Sequence, residues 1–216
     1  MCFSATASFT AGAGLLAVGS VTLRLARRPA EYPFALVPAL FGIQQLIEGG
    51  LWLTFPDREP HLNAVLTHVY SLFSHVLWPI YVPLAVLALE PERWRRRALF
   101  VLALAGAATG LYLLYFLLME PIFSRVADGH IDYVSLHFYV AVFLTAYVLA
   151  TCASSLLSSH RTVRWFGLAT FVSLVAAAAF YAAWFISVWC FFAAMMSVVV
   201  LAFFLRAGED RQTAAN

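Results

Sequence analysis

The residues best suited to chemistry in this chain are Glu48, His68, His75 and His137, each placed inside a long apolar stretch. Glu48 lies in Gly42-Ile43-Gln44-Gln45-Leu46-Ile47-Glu48-Gly49-Gly50, the middle of an apolar run that holds no other carboxylate and has two amides a helical turn before it. An ionisable side chain at membrane depth costs several kcal/mol and is retained where it faces a cavity, a partner or an ion. At a helical rise of about 1.5 Å per residue, Glu48 falls roughly 10 Å below one end of its segment, His68 roughly 8 Å and His137 roughly 9 Å below the same surface. Two histidines and a carboxylate at one level form the ligand set with which zinc polarises water in hydrolases and non-haem iron works in oxygenases. The same groups could instead tie helices together, at about 0.6 kcal/mol per interhelical hydrogen bond.

Cys190 reaches a similar depth, and Cys2 starts the chain at that surface. With Met1 removed, the amine and thiolate of Cys2 could join the metal, or the amine could act as base for the thiol. The metal set expected is therefore Glu48, His68, His137 and Cys2, holding zinc or iron. A noncovalent haem between His68 and His137 is the other cofactor reading, since no CxxCH motif is present. His75 lies two turns beyond His68 with Ser71 between them, about 10.5 Å apart and too far for one ion. These residues could line a polar track past Gln44 or Gln45, with His75 relaying protons. Glu48, His75 and Ser71 are the catalytic candidates.

The elements that must position these groups are membrane spans. The chain has 216 residues, 63 % hydrophobic and 11 % charged, too little polar surface for a soluble globule. Seven spans are expected: 5–23, 33–55, 62–89, 98–119, 131–157, 163–182 and 183–205. The result is an all-α, polytopic seven-transmembrane-helix bundle over residues 1–206, with a polar cytoplasmic tail, 207–216, expected to be disordered. Pro79 withholds an N–H from the His75 carbonyl and should open the third helix beside that histidine. Gly106 and Gly110 form a GxxxG, and the first span carries Ala7, Ala11, Gly12, Gly14 and Gly19, all signals of close helix approach.

All thirteen basic residues are arginine. The lack of lysine excludes retinal Schiff-base chemistry and a lysine nucleophile, and no basic patch interleaved with aromatics points to nucleic acid. With the N-terminus outside and the C-terminus inside, only Arg58 and Arg125 lie outside, the pattern of the positive-inside rule. Three cysteines make neither a disulfide framework nor a CxxC site.

The opening Met1-Cys2-Phe3-Ser4-Ala5-Thr6-Ala7-Ser8-Phe9, with Phe41-Gly42-Ile43-Gln44-Gln45-Leu46-Ile47-Glu48-Gly49, resembles an uncharacterised family of bacterial multi-spanning membrane proteins. The likeness implies a multi-pass protein of a bacterial inner membrane and no assigned activity. Ser71-Leu72-Phe73-Ser74-His75 resembles, in part, the Ser-xxx-His element of seven-span zinc hydrolases of the alkaline-ceramidase type, although this chain has no HxxxH in its last span. Two functions are expected. One is a metal-dependent hydrolase or oxidoreductase acting on a lipid or apolar small molecule in a cavity near the outer face. The other is a small-molecule or proton transporter or sensor using Glu48 and the intramembrane histidines.

Overall fold

The computed structural model describes residues 4–55, 59–181 and 184–206. Cys2 and the tail 207–216 lie outside them. Ser4 caps α1 (Ala5–Leu25), its hydroxyl accepting from the Ala7 N–H at 3.2 Å. This helix buries Ser8, Gly12, Leu15, Gly19 and Thr22, alternate steps of four and three that make one narrow seam. The seam faces α3 (Val37–Thr54) at backbone distance: a Cβ on Gly19 would lie 2.6 Å from the Ala39 Cβ, and one on Gly42 only 3.0 Å from the Gly12 carbonyl oxygen. Between them the chain turns on Glu31, whose carboxylate accepts from the Arg27 N–H at 2.8 Å and the Arg28 Nε at 2.8 Å. The short α2 (Tyr32–Ala35) comes next, and the Thr22 hydroxyl donates to its Ala35 carbonyl at 2.7 Å.

The third segment runs as α4 (Pro60–Ser71), a π-helical stretch Leu72–Leu77, then α5 (Trp78–Leu89). The sequence dictates the widening. Pro79 has no N–H for the His75 carbonyl, and just before it the Trp78 N–H reaches back five residues to Phe73. That leaves the Ser74 carbonyl without its helical donor, and the Tyr147 hydroxyl donates to it. Pro83 similarly leaves the Pro79 carbonyl unserved within α5. Gly106, on α6 (Arg93–Met119), sits over that carbonyl so closely that a Cβ would overlap the oxygen, and Gly110 packs on Ile80.

After α6 the chain forms a hairpin, β1 (Phe123–Ala127) with antiparallel β2 (His130–Val134), register Phe123↔Val134 to Ala127↔His130. Asp128 at φ 48° and Gly129 at φ 76° supply the positive φ pair of a type I′ turn. A 3₁₀ turn, Leu136–Tyr139, leads into α7 (Ala141–Val148), a π turn Leu149–Ala153 and α8 (Ser154–Leu156). Here Ser154 serves itself: its N–H goes to Leu149, and its hydroxyl takes the Ala150 carbonyl so released. Last come α9 (Arg161–Phe180) and α10 (Phe185–Met196), with helical turns over 199–206.

Among the described residues six helices are long and apolar enough to cross a membrane, and a shorter apolar helix covers Ala141–Leu156. The helical bundle matches the expected class, but the expected helix 131–157 does not start at Ile131. Residues 131–134 are strand, with Ile131 and Tyr133 buried under the bundle end and Tyr133 stacked on Tyr70 at 4.3 Å. The break expected at Ala182–Ala183 falls outside the described residues. At the end opposite the hairpin, buried Glu90 clasps two loops. It accepts from the Ser159 N–H at 2.7 Å and the Glu92 N–H at 3.2 Å, while Arg95 donates to the Leu157 carbonyl.

Candidate functional site

A polar cluster runs through the centre of the bundle. Successive turns of α3 bury Gln44, Gln45 and Glu48, each with no solvent exposure. Glu48 Oε1 accepts from the Ser187 hydroxyl of α10 at 2.8 Å, and Gln44 Oε1 from the Trp78 indole N–H at 2.8 Å. Cys190, one turn along α10 from Ser187, faces Gln44, Tyr70 and Glu48. Cys190 and Tyr147 line one small aromatic cavity of about 30 Å³ with Phe41, Trp78 and Trp189, space for a water-sized occupant. Tyr147 in turn holds the Ser74 carbonyl, and the Ser74 hydroxyl meets His75 Nδ1 at 2.8 Å.

His75 ends this chain of groups. It is 2 % exposed, its ring lies 4.9 Å from that of Phe138, and it forms part of the wall of a cleft of about 190 Å³ below the hairpin. Its Nε2 has no hydrogen-bond partner among the described residues, and neither has the Ser71 hydroxyl or either end of the Gln45 carboxamide. Each such buried group left unsatisfied costs about 1–3 kcal/mol. Polar groups carrying that penalty point to a site for polar ligands or water.

His137 borders the same cleft. Its Nε2 lies 2.9 Å from Glu120 Oε2, and its ring stacks on Phe116 at 3.6 Å. His68 lines a neighbouring pocket of about 370 Å³ with Asn63 and Ser124, its Nδ1 at 2.8 Å from the Ala64 carbonyl. Cleft and pocket share Pro121, Ile122 and Phe123 as their dividing wall.

The structure thus brings His75 and His137 to one cleft and Cys190 to Glu48, but it does not gather Glu48, His68 and His137. Each has its own separate partners, and no group of three His, Cys, Asp or Glu side chains able to hold a metal occurs among the described residues. Cys2 lies outside those residues. The physical reason is the hairpin: His137 sits in a 3₁₀ turn at the bundle end, so helical rise counted from Ile131 assigns it a depth it does not have. Ser187, Tyr147 and Ser74 are members of the cluster that the sequence alone does not single out. For Ser187 the usable signal is its place three residues before Cys190, on the same helix face and near the depth of Glu48.

Residues 1–215 match a family of unknown function, DUF6629. The chain belongs to that family. No curated protein and no solved structure matches it, so the likeness to alkaline-ceramidase-type hydrolases gains no support from named relatives.

Proposed function

We propose that this DUF6629 protein is a seven-span protein of a bacterial inner membrane, N-terminus out and C-terminus in. In it, the buried cluster around Glu48 takes up a proton or a small polar ligand from the hairpin side, as a transporter or sensor does. The observation that carries the reading is His75: buried, at the wall of the open cleft, with Nε2 unpartnered among the described residues and Nδ1 at the Ser74 hydroxyl. Tyr147, held on the Ser74 carbonyl, shares with Cys190 a cavity for a water-sized occupant beside Glu48, so that passage between them needs that occupant. Ionisable groups arranged in this way inside a membrane bundle serve as relays or binding sites. The arginine asymmetry supports the orientation, and Ala141–Leu156 supplies the seventh crossing. The metal-dependent hydrolase or oxidoreductase reading requires three convergent ligands, and the separate surroundings of Glu48, His68 and His137 favour the relay over it.

The test is infrared titration of the purified protein in nanodiscs, tracking the carboxylic acid band. Glu48→Gln should remove the band, and His75→Phe should slow its proton–deuterium exchange. A Glu48 that titrates in step with surface glutamates, or exchange unchanged in His75→Phe, overturns the proposal.

A further inference from the structure

At the arginine-rich end, α8 and the first two turns of α9 enclose a shallow cleft of about 220 Å³ lined by Leu156, Arg161, Arg164, Trp165 and Leu168. We infer that this cleft binds the headgroup of an anionic phospholipid.

The local chemistry is one-sided. Arg161 and Arg164 stand three residues apart on one helix face, and the first turn of α9 contains no acidic residue. Cations at a helix N-terminus oppose the macrodipole, whereas an anion there is favoured by both dipole and guanidinium. Arg164 is held in place: its Nη1 donates to the Ser158 carbonyl at 3.2 Å and the Ser159 carbonyl at 3.1 Å, which leaves its other donors for a ligand. Arg161 is exposed and makes no ion pair among the described residues. A planar guanidinium suits bidentate recognition of a phosphate.

The cleft is also graded along the helix, and this selects a lipid over a free anion. Arg161 lies at the helix end, Trp165 (52 % exposed) one turn on, and Leu168 (41 % exposed) about 10 Å deeper than Arg161. Leu156, 38 % exposed, faces the same space from α8. Charge, then indole, then aliphatic surface matches the order of phosphate, glycerol level and acyl chain in a leaflet, with tryptophan at its preferred interfacial depth. Inorganic phosphate has no use for the apolar wall.

The inference rests on the membrane-spanning reading, whose own failure would show separately as a chain recovered in aqueous solution without detergent. The experiment takes the purified full chain in uncharged detergent and titrates phosphatidylglycerol, phosphatidylcholine and inorganic phosphate, with bound lipid read by native mass spectrometry. Phosphatidylglycerol should bind in preference to phosphatidylcholine, and phosphate should not compete. Because Arg164 also holds a loop, Arg161→Gln is the informative variant, weakening phosphatidylglycerol roughly five-fold. Trp165→Ala should weaken it as well, and the charge-matched control Arg93→Gln should not. Equal loss in that control, competition by phosphate, or wild-type binding in Arg161→Gln overturns the assignment.

Discussion

Gly106 shows how much one absent side chain can decide. Two prolines in α5 leave carbonyls that the helix cannot serve, and at Pro79 the facing helix solves the steric part by offering no Cβ. Gly106→Ala must therefore push α5 and α6 apart, at a cost of roughly 1–3 kcal/mol typical of overpacking. Thermal unfolding in detergent should show the loss, and an unchanged melting temperature would mean that α6 shifts freely. Glu90 gives a pH-dependent counterpart. Burial acts to raise its pKa, yet the hydrogen bonds from Ser159 and Glu92 and the charge of Arg95 together hold the carboxyl below its ordinary value. A lowered folded-state pKa means stability that is fully present above the usual carboxylate range and lost as pH falls through the lowered value. Glu90→Gln should accordingly melt below wild type at neutral pH, with the gap closing on acidification; a gap independent of pH would assign the loss to packing. At this scale Glu48 was legible as the one carboxylate in the middle of an apolar run, because burial of a charge is written in its neighbours. Its donor Ser187 is 139 positions away, and hydropathy does not fix the rotation of α10 that aims it.

Of the two π segments, the first ties its helix to a neighbour by a hydrogen bond, and the second is closed within its own helix. One exposes the Ser74 carbonyl to Tyr147, the other the Ala150 carbonyl to Ser154. Tyr147→Phe leaves a buried carbonyl unserved and should cost about 1–3 kcal/mol. Hydrogen exchange over 72–78 should rise with it, whereas protection equal to wild type would show that the widened turn needs no clasp. The opening beside His75 was legible from Trp78-Pro79, since proline removes a donor wherever it stands. The hairpin was missed, although Asp128-Gly129, between Ala127 and His130, is a pair that favours a type I′ turn. The competing signal was the apolar run beginning at Ile131, which periodicity alone reads equally well as the start of a helix.

For the whole molecule, the testable quantity is orientation. Reporter fusions at Arg95 and Arg161 should register as cytoplasmic, and those at Glu59 and Asp128 as external; Arg95 outside would reverse both the topology and the side from which the cleft is reached. The all-α bundle itself could be read from composition, because lipid favours helices in a chain this apolar. Which helix faces touch could not, except where glycine marked them.

The hairpin also shortens the apolar helix that follows it. With 123–134 taken up by the strands and their turn, and Leu136–Tyr139 in a tight 3₁₀ turn, only Ala141–Leu156 remains, about 24 Å of helix against a hydrocarbon layer of about 30 Å. Its Val142 and Leu149 are exposed on the flank of the bundle. On the proposed seven-span reading, lipids along that flank would thin to meet this helix, and the protein should partition towards thinner membranes when offered a choice of acyl-chain length.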